Sequence, residues 1–206
     1  MIRKLKAMAL ALTTVLALSA LMAAGAQAAK LISSSAHTAL HGEQVGFAVF
    51  TVGEGFGGVS CTTVTGSGTA SGFEIESLPG TGVASGCKDS FGRTVHVHQS
   101  EASYTLTGEG VGHGSGSIIL TTTSGGSTVC TTMLGAQTNT GGTYENLGGT
   151  KGITAEIKST NVISTTSGGF FNCGIANGEH TGGTAEGTSV VTGKDTEGNP
   201  VSIKIE

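Results

Sequence analysis

His96-Val-His98 is the pair whose residue types and spacing most directly suggest chemistry. On a strand, residues i and i+2 share a face about 7 Å apart, so two imidazoles there can converge on one Zn²⁺ or Cu²⁺ ion. A metal centre needs a third ligand, and only folding could bring up His37, His41, Glu101, His113 or His180. The plainer reading puts Val95 and Val97 on the buried face and leaves both imidazoles on the solvated one. His96 and His98 are the candidate metal residues; no catalytic residue and no cofactor is assigned.

The other constellations each lack a part that their chemistry requires. Gly108-Glu-Gly-Val-Gly-His-Gly-Ser-Gly116 has the glycines of a phosphate-cradling loop. That chemistry needs helix-terminal N–H groups, and no helix is legible beside it. It reads as a flexible loop, as does Gly53-Glu-Gly-Phe-Gly-Gly58. A Ser-His-Asp hydrolase has only Asp89 and Asp195 to draw on, each in an apparent turn, with no G-x-S-x-G element. Paired carboxylates for glycoside hydrolysis need a separation of about 5–9 Å that only a fold creates, and the chain has no Trp to form a sugar platform. Asp195-Thr-Glu-Gly-Asn199 alternates oxygen ligands but lacks the remaining ligands of a calcium loop. The Thr-x-Thr pairs at 63/65, 105/107, 121/123 and 138/140 are spaced too irregularly for an ice-binding ladder.

The elements that must position these residues belong to an exported chain. Arg3, Lys4 and Lys6 precede an apolar run over residues 7–22, and Ala26-Gln27-Ala28 supplies a small-x-small cleavage signal. Residues 1–28 read as a signal peptide, and residues 29–206 as a single secreted domain without an integral membrane segment. The leader takes three of the ten cations, leaving seven against 14 acids and moving the formal charge from −4 to −7. Such a domain does not neutralise runs of phosphates, which disfavours nucleic acid and anionic membrane surfaces as partners.

After the leader the chain holds 35 Gly, 29 Thr and 20 Ser, nearly half of its positions, against an ordinary Gly usage of roughly 7%. This excludes a collagen, a coiled coil and an ordinary helical enzyme. Its four cysteines, Cys61, Cys87, Cys130 and Cys173, form an even set, which in an exported protein implies two disulfides. No C-x-x-C spacing supports zinc. Of three connectivities, the sequential Cys61–Cys87 and Cys130–Cys173 is preferred, each loop contributing about 3.5–4 kcal/mol in the chain-entropy model.

Period-2 alternation recurs throughout. Ile153/Ala155/Ile157, Val201/Ile203/Ile205 and Val95/Val97 each face polar neighbours, while residues 45–52 are apolar on both faces and read as a fully buried strand. Further strands are expected over 58–65, 72–77, 103–107, 116–122, 128–134, 161–165 and 187–192, with Lys194-Asp-Thr-Glu-Gly-Asn-Pro200 the most explicit turn. About ten to twelve short strands at this spacing predict an antiparallel β-sandwich or barrel-like sandwich, stapled by disulfides, with Gly at its turns and bulges. Residues 61–72 match residues 130–141 at six of twelve positions, which suggests two related β modules, the second beginning near 115.

Thr38-Ala-Leu-His-Gly-Glu-Gln44, Cys61, Cys87, Tyr104-Thr-Leu-Thr-Gly108, Cys130 with Gly135-Ala-Gln-Thr138, Thr143-Tyr-Glu-Asn146 and a Gly/Thr-rich end over 182–203 follow one another in that order. In this the chain resembles small, uncharacterised, secreted Gly/Thr-rich β proteins common in soil actinobacteria, over roughly residues 33–206. The resemblance implies an exported β-sandwich and carries over no catalytic residue. Members with a further cysteine pair would place it near Ala102 and Thr121; its absence here agrees with the sequential pairing.

The resulting expectation is a secreted, non-catalytic β protein acting as a cell-surface, adhesive or extracellular-matrix component. Its partners would be a cell-surface or extracellular polymer, or a second copy joined through edge strands. The alternative is an extracellular enzyme or metal-binding protein using the His96/His98 face.

Overall fold

Antiparallel pairing between neighbours in sequence runs through the whole chain. The computed structural model describes residues 30–206, apart from 54, 55, 76, 100, 101, 107–110, 116 and 141; the leader lies outside the described residues. In chain order the strands are β1 (Leu31–Ser33), β2 (His37–Val52), β3 (Phe56–Ser60), β4 (Thr63–Ser71), β5 (Glu74–Ile75), β6 (Ser77–Ser85), β7 (Lys88–Asp89), β8 (Thr94–Gln99) and β9 (Ala102–Leu106). They continue as β10 (Val111–Ser115), β11 (Ile118–Ser124), β12 (Ser127–Leu134), β13 (Gln137–Thr140), β14 (Gly142–Asn146) and β15 (Ile153–Ser167). A four-residue helix, α1 (Phe170–Cys173), then precedes β16 (Gly178–Lys194), β17 (Pro200–Val201) and β18 (Ile203–Ile205).

Strands β2, β3, β7, β8, β11, β12, β15 and β16 pair in that order, and β16 pairs back to β2. The sheet therefore closes into an eight-stranded antiparallel barrel. The remaining strands of the large sheet prolong these walls. Ser60 faces Lys88 and Thr63 faces Ser85, so β3 with β4 and β7 with β6 keep one register across the cysteines between them. β9, β10, β13 and β14 extend their neighbours in the same way.

The all-β, antiparallel, two-disulfide expectation agrees with this architecture; the sheet is a closed barrel with extra strands, not clearly the sandwich or barrel-like sandwich of ten to twelve short strands that the alternation predicts. The described residues hold 18 strands, and the long ones run through positions read as turns. Gly66, Gly68, Gly80 and Gly82 lie inside β4 and β6, directly paired. Ladder hydrogen bonds join backbone to backbone, so a glycine weakens a strand without ending it. The glycine runs expected to be loops are likewise partly strand: Val111–Ser115 is β10 and Phe56–Ser60 is β3. The expected fully buried strand at 45–52 is also corrected. Val45 is half exposed because β2 bulges there, with Gly46 at φ +78° and a register shift against β16.

Two apolar clusters fill the interior. The lower one joins Phe50, Val59, Val64, Val95, Leu120, Leu134, Val162 and Ala185 with Cys61 and Cys87. The upper one joins Leu40, Ala70, Ile153 and Val191 of the walls to Leu31, Ile75 and Ile203 of a three-stranded sheet ordered β18-β1-β5. That small sheet covers the upper end, so both halves of the sequence share one folded body.

Closure leaves the barrel strands little edge for strand addition. One of the small sheet's two outer strands, β18, is met by a side chain: the Asn146 carboxamide donates to the Ile205 carbonyl at 3.0 Å and accepts the Ile205 N–H at 2.9 Å.

Candidate functional site

Both expected disulfides are present, Cys61–Cys87 and Cys130–Cys173. His96 and His98 stand exposed on the outer face of β8, as the alternation predicts, while Val95 is buried. Their cross-strand neighbours are Thr121 and Ile119, neither a metal ligand. Among the described residues no group of three or more His, Cys, Asp or Glu side chains could hold a metal ion. His37 and His41 lie on β2, and His180 shares its ring nitrogen with the Thr166 hydroxyl (2.9 Å) and the Ala176 carbonyl (2.8 Å). Glu101 lies outside the described residues, and His113 falls on β10, facing Thr105 and Thr138 across the ladders.

Two outer hollows are shallow. One of about 310 Å³ is lined by His37, Thr69, Ser71, Asp195 and Thr196 among others. Its carboxylate is spent on a turn: Asp195 Oδ1 accepts the Glu197 and Asn199 N–H groups at 2.9 and 2.8 Å. These bonds, Asn199's first, hold the Asp195 carboxyl below the usual aspartate range. The second, about 190 Å³, lies between Met133, Ile163, Thr165 and Glu179. His37 and Ser71 face each other across β2 and β4 in the first hollow, but among the described residues no hydrogen bond joins the Ser71 hydroxyl to the His37 ring.

The lower end of the barrel is built differently. The β7–β8 turn is organised by Asp89, which is buried; its Oδ1 accepts the N–H groups of Phe91 and Arg93, both at 2.9 Å. Arg93 donates to Asp89 Oδ2 at 2.7 Å and also to the Asn172 carbonyl of α1. Cys130–Cys173 ties the end of that helix to β12. Asn177 closes the β15–β16 turn, accepting the Gly168 and Gly169 N–H groups at 2.9 and 2.6 Å. Gly168 is required here: its φ is +139°, and a Cβ would stand 2.3 Å from the Val129 carbonyl and 3.0 Å from Cys173 Sγ.

These braces hold three phenyl rings out in solvent. Phe91, Phe170 and Phe171 are 64%, 60% and 95% exposed. Phe170 and Phe171 meet edge to face at 6.0 Å, and the Arg93 guanidinium lies 4.9 Å from the Phe91 centroid. Three of the seven Phe of a chain without Trp therefore stand exposed on two adjoining turns at one end, while Phe73, 58% exposed, stands apart from them. Sequence reasoning passed over them. The available signal was Phe170-Phe171 between Gly168-Gly169 and Asn172-Cys173, an apolar pair inside a turn composition.

Along the walls most apolar side chains face inward, while Ile119, Met133 and Ile163 stand outward beside Thr131, Thr165, Lys88, His96 and His98. A barrel spanning a bilayer shows the reverse pattern. No described helix is long and apolar enough to cross a membrane. Comparison with protein-family models and with curated proteins finds no match for this chain.

Proposed function

We propose that the protein works outside the cell as a non-catalytic attachment module, docking peripherally on a lipid surface of low net charge through its aromatic end. One observation carries the reading: Phe91, Phe170 and Phe171 are held exposed by an ion pair, a disulfide and capped turns. Exposed apolar groups ordinarily turn inward or pack together; rings braced outward mark a contact surface.

Their shape and chemistry favour lipid over a polymer. The rings stand exposed on two turns joined by the Arg93–Asn172 bond, and a deformable acyl layer accommodates such projecting groups. Phe brings no hydrogen-bonding handle, and the nearby amides are engaged within the chain: Asn172 donates to the Gly168 carbonyl at 2.8 Å, and Asn177 caps two glycines. A sugar polymer would need such groups free. The excess of acids over cations turns the protein away from anionic bilayers. Two disulfides and a leader-like N-terminus support an extracellular location.

Because the chain has no Trp, Phe171→Trp is a unique fluorescent reporter. With phosphatidylcholine vesicles its emission shifts to the blue and the protein co-sediments, with affinity at or below the ~10⁴ M⁻¹ of a single myristoyl chain. Phe73→Trp, at the opposite end, stays unshifted. Phe170→Ser/Phe171→Ser binds at least tenfold more weakly. An unshifted Phe171→Trp, equal shifts at both ends, or attachment to a polysaccharide in place of vesicles overturns the proposal.

A further inference from the structure

We propose that the barrel interior contains a binding site, separate from the aromatic end, for a small neutral molecule that is mostly apolar and carries a hydroxyl or N–H donor. The site lies between the two apolar clusters, where the walls change from bulky to small residues. Gly42 on β2 faces Gly66 on β4, and Gly66 faces Gly82 on β6. One step higher, Leu40 faces Gly68, which faces Gly80. One step lower, Ser189 on β16 lies opposite both Gln44 on β2 and Ala155 on β15.

Gly42 and Gln44 share the face of the buried Leu40, Gly66 and Gly68 that of Val64, and Ala155 and Ser189 that of Ile153 and Val191, so these positions turn inward. Small residues alone do not make a site. The second observation is polar: Ser189 is 0% exposed, and its Oγ has no hydrogen-bond partner. Gln44 Oε1, on the residue directly opposite, is also buried without a partner. Gln44 cannot turn its amide to mend this, because Nε2 already donates to the Gly46 carbonyl at 2.8 Å.

The Gln44 carbonyl oxygen can only accept, and the Ser189 hydroxyl can accept as well as donate. An occupant that satisfies both must therefore bring a donor, and leaving both unmet is costly. The surrounding inner face, Leu40, Val64, Ala84, Ala155, Ile153 and Val191, is uncharged, which selects a neutral, apolar body. The donor would seat between Gln44 and Ser189 while the rest of the molecule lies against the glycine-bearing wall of β4 and β6.

The test compares two isomers, 1-hexanol, which donates a hydrogen bond, and 1-methoxypentane, which cannot. Amide shifts of Gly42, Gly66, Ser189 and Val191 are followed by NMR in the full-length protein. The expected result is saturable binding of 1-hexanol, at least tenfold weaker binding of the ether, and a five- to tenfold loss for Ser189→Ala. Ser189→Val fills the position and abolishes binding; retained strand circular dichroism shows that each variant is folded. Equal binding of the two isomers, unchanged affinity in Ser189→Ala, or a buried water that 1-hexanol does not displace overturns the proposal. Phe171→Trp vesicle binding is read at the other site, so the two proposals fail separately.

Discussion

The Arg93 guanidinium on the β7–β8 turn donates to the main-chain carbonyl of Asn172 in α1, 79 residues away, while also pairing with buried Asp89. Through these two contacts one side chain locks two turns together and sets where the three phenyl rings stand. Arg93→Ala leaves a buried carboxylate unpaired and should cost about 2–3 kcal/mol of stability in urea denaturation. Vesicle binding should fall with it, because α1 loses its tether.

The two disulfides should separate stability from attachment. Cys61→Ala/Cys87→Ala opens a link deep in the lower cluster, and Cys130→Ala/Cys173→Ala releases α1. Each pair should cost about 2–4 kcal/mol. Only the second should also weaken co-sedimentation with phosphatidylcholine vesicles.

Gly168→Ala tests the geometry of the same turn. The left-handed φ and the close Val129 carbonyl leave no place for a methyl group, so a loss of about 2 kcal/mol or more is expected. Gly125→Ala, at φ +59° with open space around its Cβ, should cost only about 1 kcal/mol. Thermal melts of the two variants give the comparison.

Asp195 has a carboxyl pKa below its ordinary 3.8, chiefly through the Asn199 N–H bond. Its contribution to the 195–199 turn is therefore present above the unfolded-state value and is lost as pH falls through the lower folded value. The Glu197 and Asn199 amide resonances should hold steady down to about pH 4 and move below it. In Asp195→Ala that acid-range movement should be absent.

The lower apolar cluster predicts its own sensitivity. Phe50 is fully buried in the lower cluster, so Phe50→Ala should cost about 3–5 kcal/mol. Phe73→Ala, on the exposed surface, should change stability by less than about 0.5 kcal/mol.

Much of the local structure was legible in residue order. Alternation at Val95/Val97 and at Ile153/Ala155 named inner and outer faces correctly, because side chains alternate across a strand whatever the sheet's final shape. The Asp195–Asn199 turn followed from equally local chemistry, and the preferred sequential cysteine pairing, one of three open to the sequence, is the one present. Barrel closure was not legible. It rests on β2 meeting β16, more than a hundred residues apart, through ladder bonds indifferent to side-chain identity. The long strands were hidden for the same reason, since glycines that read as turns are carried within β4 and β6.

The chain by itself determined a small-residue, disulfide-bearing, all-β protein with His96 and His98 on a solvated face. Those are properties of neighbours in sequence. Tertiary structure alone decided that Phe91 would join Phe170 and Phe171 at one end, and that Ser189 would face Gln44 inside the barrel. Each pairing depends on strand register and turn bracing between distant segments, and a one-residue slip in either would send the side chains to opposite faces.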